Sequence, residues 1–217
     1  MMKKENEKIY FVSGIDTNVG KSYATGYLAR LWNEKGLRTI TQKLVQTGNT
    51  EMSEDIEVHR RLMGTGLLTE DREGLTMPEI FSYPCSPHLA AELDHRPLDL
   101  AKIGRATRLL AASYDRVLVE GAGGLMVPLT RSLLTIDYVA EQGYPLVLVT
   151  SGRLGSINHT LLSLEAVAHR HIPLAAVLYN LYPEGEDALI RQDTREYVRH
   201  YLAQHFPEAE FREVPCL

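Results

Sequence analysis

Gly14-Ile15-Asp16-Thr17-Asn18-Val19-Gly20-Lys21-Ser22 is the stretch that decides the fold. It follows an apolar, partly β-branched run, Ile9-Tyr10-Phe11-Val12, that reads as a buried strand ending at Gly14. It opens a segment from Lys21 to Glu34 in which Ala24, Leu28 and Leu31 recur at helical spacing, and Gly36 stops that helix. A strand, a glycine-bounded loop and a helix that begins Lys-Ser are the context of a phosphate-binding loop. The glycines let the backbone curl so that several N–H groups point inward, and the helix N-terminus adds about half a positive charge. Lys21 is then placed to reach β- and γ-phosphates, and the Ser22 hydroxyl to bind Mg²⁺. The loop is one residue longer than G-x4-G-K-[ST]. No G-x-G-x-x-G lies here, nor is one completed by Gly121-Ala122-Gly123-Gly124, so a dinucleotide fold fits worse.

Working outward, strand-like and helix-like runs alternate. Thr39-Ile40-Thr41 reads as a strand and Ser53 to Met63 as a helix with a Ser N-cap. Gly64 to Pro87 reads as loops around a short element, and Leu98 to Ser113 as a helix. Strands follow at Val117-Val119, Leu146-Val149 and Leu174-Leu178, with a closing strand at Glu210-Val214. Further helices are expected over Ser156-His169 and Glu186-His205. Strands separated by helices imply parallel pairing, and their continuous apolar character implies a sheet covered on both faces. The expectation is a single-domain α/β fold over residues 1–217, a mostly parallel sheet flanked by helices, of the P-loop NTPase kind. In such a sheet ligands sit beyond the carboxyl ends of the strands.

The segments after the strands carry matching chemistry. Lys43 follows the second strand and would face the phosphate loop, where it could hold an anionic acceptor against the γ-phosphate. Glu120 follows Val117-Val119, the usual place for an acid that orients Mg²⁺. Gly121 and Gly123 let the backbone pass close to phosphates. Asp55, in the first turn of its helix, is a third candidate metal ligand; Glu51 and Glu54 are nearby substitutes, and an acid there also suits the helix dipole. Gly155-Ser156-Ile157-Asn158 opens a helix whose N–H groups suit a carboxylate, although a plain Ser N-cap explains it equally well.

Composition narrows the partners. With 28 acidic against 23 basic residues and a net charge of −5, no nucleic-acid surface is expected. No apolar run is long enough to span a bilayer, and no signal-peptide core follows the charged start. Cys85 and Cys216, without CxxC spacing, suggest a reducing cytoplasm and no zinc site.

Several of these segments together resemble the dethiobiotin synthetases, ATP-dependent enzymes of late biotin synthesis. The matching pieces are Phe11 to Ser22, Lys43-Leu44-Val45-Gln46-Thr47-Gly48, Ser86-Pro87-His88, Val119 to Gly124, Leu154 to His159, Asn180 and Pro215-Cys216-Leu217. The long loop with Asp-Thr inside it is characteristic of this family and its near relatives. The resemblance implies 7,8-diaminononanoate, CO₂ and ATP as substrates, Mg²⁺ as cofactor, and a homodimer. It implies ATP contacts from Asn18, Val19, Gly20, Lys21, Ser22, Tyr23, Asp55, Glu120, Gly121, Ala122 and Gly123, with Asn180, Pro215, Cys216 and Leu217 on the adenine. Lys21 and Lys43 become the catalytic cations, and Ser22, Asp55 and Glu120 the metal ligands. Thr17 and Thr47 would touch the diamine or carbamate. Ser156, Ile157 and Asn158 would hold the substrate carboxylate of the partner subunit. Partition-type switch ATPases share the loop class, but they carry an extra lysine early in the loop, where this chain has Ile15-Asp16-Thr17-Asn18. The chain departs from the family pattern in three ways. Leu44 stands for a common proline, which is expected to loosen the approach to Lys43. A short Thr47–Asp55 segment leaves Glu54 as an alternative ligand. An end at Leu217, where relatives run on, implies thinner adenine contacts.

Overall fold

The computed structural model describes residues 8–182 and 187–216. Its centre is β1 (Ile9–Gly14), flanked in a six-stranded sheet whose strands are all parallel. The order is β2 (Thr39–Lys43), β5 (Arg116–Gly124), β1, β6 (Leu146–Ser151), β7 (Leu174–Asn180) and β8 (Glu210–Val214). β3 (Gln46–Thr47) and β4 (Ile80–Phe81) form a separate parallel pair beside the end of β2. Every residue of β2 and β6 is buried, the signature of strands covered on both faces.

The helices are α1 (Lys21–Glu34), α2 (Glu54–Met63), α3 (Thr69–Arg72), α4 (Pro87–Leu93), α5 (Leu100–Ser113), α6 (Thr135–Gln142), α7 (Ser156–His169) and α8 (Ala188–His205). Their apolar faces join the strand side chains in one core that includes Phe11, Leu28, Ile103, Leu118, Leu148 and Val198. Among the described residues, no helix is long and apolar enough to cross a membrane.

Sequence and structure part at identifiable places. Three of the expected strands run on: β2 to Lys43, β5 to Gly124 and β6 to Ser151. The polar residues at these ends continue the ladder with parallel neighbours, which hydropathy cannot show; Lys43 stands in register with Glu120. α5 starts at Leu100, because Asp99 caps it by accepting the Lys102 N–H at 2.8 Å. The expected start of the last helix, Glu186, lies outside the described residues, and α8 is capped by Asp187. α6 has no counterpart in the sequence reading. It is two turns long, includes Thr, Ile and Val, and its N-cap, Leu134, makes no capping hydrogen bond. Only Gly143, at φ +67°, signals its end.

Candidate active site

The carboxyl ends of β1, β2, β5 and β7 open into one cleft of about 960 Å³. β1 leaves the sheet at Gly14, where its register against β5 shifts between Val12 and Gly14, and the chain passes into the phosphate loop. Gly20, at φ +87°, closes the loop and is the N-cap of α1. A Cβ there would also stand 2.1 Å from the Asn180 amide nitrogen, so position 20 has room for glycine alone. Asn18, at φ +57°, takes the second left-handed turn of the loop.

Lys21 is buried, and its Nζ donates to the Asp16 carbonyl at 3.0 Å, arching the ammonium over the loop. Burial lowers its pKa; Glu120 and Asp55 oppose the shift, while the nearby Lys43 charge adds to it. Lys43 ends β2, 4% exposed, with Nζ 2.5 Å from Asp55 Oδ2, 2.9 Å from Glu120 Oε1 and 3.1 Å from the Gly121 carbonyl. Burial would depress this ammonium, but the Glu120 and Asp55 carboxylates outweigh it and raise its pKa. Glu120 is fully buried, which favours its protonated form. Lys43 and His59 overcome that and hold its carboxyl well below the usual range.

Ser22 Oγ lies 2.5 Å from Asp55 Oδ1 and 2.9 Å from Glu120 Oε1. One hydroxyl has one hydrogen and cannot satisfy two carboxylate oxygens at once. Three hard oxygens that converge in this way suit a small divalent cation such as Mg²⁺. Glu54 is exposed on the outer side of α2, whereas Asp55 faces Lys43 and Ser22, so the helix presents Asp55 to the cleft.

Leu44 is a correction. It is fully buried, and its N–H donates to the Glu120 carbonyl at 2.8 Å, a bond that a proline could not make. The residue after Lys43 therefore ties β2 to β5 and holds the lysine firmly rather than loosening it.

The other expected residues divide into three groups. Thr17, Thr47, Tyr23, Ala122, Gly123 and Asn180 line the cleft. Val19 and Gly121 act behind it: Val19 is packed in the core, with its carbonyl accepting the Asn180 amide at 3.0 Å, and Gly121 offers its carbonyl to Lys43. Pro215 and Cys216 line a neighbouring cleft of about 370 Å³ with Arg191 and Arg195, and the Tyr23 hydroxyl links the two by donating to the Pro215 carbonyl at 3.0 Å. Leu217 lies outside the described residues. Ser156, Ile157 and Asn158 do not line the cleft. Gly155 is the N-cap of α7 and no side chain caps the helix; Ser156 Oγ instead meets Ser151 Oγ at 3.1 Å.

Sequence reasoning quoted Gln46, Ser86 and Pro87 as parts of matching segments but gave them no role, and it missed Pro84, Cys85 and Tyr182 in the cleft and His59 beneath it. His59 had one signal: it follows Asp55 by four residues, which puts both on one face of α2.

The chain is similar to known proteins over nearly its whole length. The family model described as AAA domain matches residues 8–214. The chain is 52% identical over 204 residues to ATP-dependent dethiobiotin synthetase BioD 2 of Haemophilus ducreyi, covering 94% of this chain and 96% of that one. The protein of the same name from Pasteurella multocida is 48% identical over 204 residues, covering 94% and 95%. ATP-dependent dethiobiotin synthetase BioD of Chlorobaculum tepidum is 52% identical over 203 residues, covering 93% and 84%. Among solved structures, pNOB8 ParA bound to nonspecific DNA superposes with TM-score 0.56 at 13% identity, over 97% of this chain and 86% of that one. A ParA family ATPase from Chlorobium tepidum gives 0.55 at 12%, over 97% and 85%. These two similarities speak to the fold.

Proposed function

The chain belongs to the ATP-dependent dethiobiotin synthetase family, and we propose on that premise that it closes the urea ring of dethiobiotin from 7,8-diaminononanoate, CO₂ and ATP in biotin biosynthesis. One observation carries the reading: Lys43, at the end of β2, pairs with the Asp55 and Glu120 carboxylates, and Lys21, at the end of the phosphate loop, lines the same cleft within the influence of both charges.

The residues divide the work by charge. The loop amides from Asn18 to Ser22 hold the phosphates, and Lys21 neutralises the transferring phosphoryl group. Lys43 holds the carbamate formed from CO₂ and one amine of the substrate, with Thr17 and Thr47 beside it. A carbamate oxygen attacks the γ-phosphorus and ADP departs, leaving a carbamic–phosphoric anhydride. The second amine then attacks the carbamate carbon, phosphate leaves with the former carbamate oxygen, and the ring closes. No protein nucleophile is needed; alignment and charge neutralisation supply the catalysis. Ser22, Asp55 and Glu120 would hold Mg²⁺, which when bound offsets the negative charge of the β- and γ-phosphate oxygens. Asn180 spends one amide hydrogen on Val19 and one carbonyl lone pair on the Tyr182 N–H, at 3.2 Å. It keeps one of each for the edge of adenine, with Pro215 and Cys216 on its far side.

A homodimer gives a role to the start of α7, where Ser156, Ile157 and Asn158 do not line their own cleft and would hold the substrate carboxylate of the partner subunit. The working unit is a single domain in the cytoplasm, where its substrates are small molecules rather than nucleic acid or membrane. The test is stoichiometry. ADP release is expected to depend on both 7,8-diaminononanoate and bicarbonate, with one dethiobiotin formed per ADP. ATP turnover indifferent to the diamine would point to a switch ATPase instead.

A further inference from the structure

Glu120 has two carboxylate oxygens, and the structure gives them separate tasks. Oε1 faces the cleft, 2.9 Å from both Ser22 Oγ and Lys43 Nζ. Oε2 faces away from it, 2.8 Å from His59 Nε2. An ionised carboxylate only accepts, so Nε2 carries the hydrogen of that bond. The other ring nitrogen, Nδ1, lies 3.0 Å from Thr41 Oγ1. Thr41 Oγ1 accepts Arg60 Nη1–H at 2.8 Å and is left with both a hydrogen and a lone pair, so it can meet Nδ1 whether or not that nitrogen carries a hydrogen. Arg60 is fixed in turn by two bonds to Asp71, at 2.8 and 2.7 Å, and Asp71 also accepts the Thr76 hydroxyl and the Leu68 N–H. His59, Thr41, Arg60, Asp71 and Glu120 are all buried, so bulk water is kept from these contacts.

We propose that His59 is a positioning residue for the phosphoryl-transfer site: its Nε2–H pins Glu120 so that only Oε1 is presented to the cleft. This rests on the reading of Glu120 as a ligand of the nucleotide's Mg²⁺. Mg²⁺ demands near-octahedral geometry and single-oxygen donors, whereas Ca²⁺ accepts both oxygens of one carboxylate. A Glu120 free to swing would lose the first geometry and gain the second. His59 therefore contributes to how tightly, and how selectively, the site takes a small cation, without touching substrate.

The full-length chain with His59→Gln and with His59→Asn separates positioning from mere packing. The glutamine amide nitrogen reaches the place of Nε2 and can still donate to Glu120; the asparagine amide reaches only the place of Nδ1. Both are polar amides in the same cavity, so any general cost to folding, read as a melting temperature, is shared. Mn²⁺ is titrated into protein saturated with ADP and followed by electron paramagnetic resonance, with Ca²⁺ as competitor. The asparagine variant is expected to bind Mn²⁺ about 10–100-fold more weakly and to discriminate less against Ca²⁺, while the glutamine variant stays within about threefold of the parent. ADP affinity in excess chelator is expected to be the same for all three. Mn²⁺ affinity unchanged in the asparagine variant, or lost equally in both variants, overturns the proposal. A parent protein that binds no Mn²⁺ with ADP would overturn the metal reading beneath it.

Discussion

At the scale of single residues, Lys43 bears the most weight. It is a buried ammonium shared between two carboxylates, where a carbamate and a transferring phosphoryl group would both need positive charge. Removing one preorganised stabiliser of developing charge costs roughly 10²–10³-fold in turnover. Lys43→Ala is expected to lose at least that much in kcat, while the phosphate loop keeps MgATP affinity within a few-fold. Paired kcat and nucleotide-binding measurements check it, and an unchanged kcat would leave Lys43 without a role. Lys21, Ser22 and Glu120 were legible because each follows a strand directly or opens the helix of a recognisable loop. His59 was not: its partner, Glu120, is 61 residues away in sequence, and a histidine on a helix face reads first as packing or as a stabilised helix end.

At the scale of elements, α2 is the part whose seating the site depends on, since it carries both Asp55 and His59. Its far end is moored by Arg60 to Asp71, at the start of α3, and that pair is buried. Burial opposes ionisation of Asp71, but bonds from Arg60, Thr76 and the Leu68 N–H overcome it and hold its pKa below the ordinary value of 3.8. A depressed folded-state pKa means stability that is complete above the unfolded value and lost as pH falls through the folded one. Asp71→Asn is therefore expected to cost about 3–5 kcal/mol at pH 7, because it strands a buried guanidinium. The gap between variant and parent should narrow below about pH 4. Urea midpoints at pH 7 and pH 3 measure this, and a gap independent of pH would contradict it. α3 was foreseen only as an unspecified short element between Gly64 and Pro87, and α6 was not foreseen, for a common reason: each is short, has a leucine at its N-cap, and is held by neighbours rather than by its own periodicity.

At the scale of the whole molecule, the strand order is what turns scattered residues into a site. β1 lies between β5 and β6, and β2 lies beyond β5, so the phosphate loop, Glu120 and Lys43 emerge at one sheet edge, although they come from residues 14–22, 120 and 43. The alternation of strands and helices made that edge foreseeable. The role of the α7 start came only with the family resemblance, because taken by themselves Gly155 and Ser156 read equally well as a plain helix cap. All these parts meet in one chemical claim: the oxygen that attacks the γ-phosphorus belongs to the substrate carbamate, not to water. Freshly dissolved oxygen-18-labelled bicarbonate, given with 7,8-diaminononanoate and MgATP, tests this by mass spectrometry of the released phosphate. The account predicts one labelled oxygen in each phosphate formed early in the reaction; phosphate that takes its new oxygen from unlabelled water would contradict it.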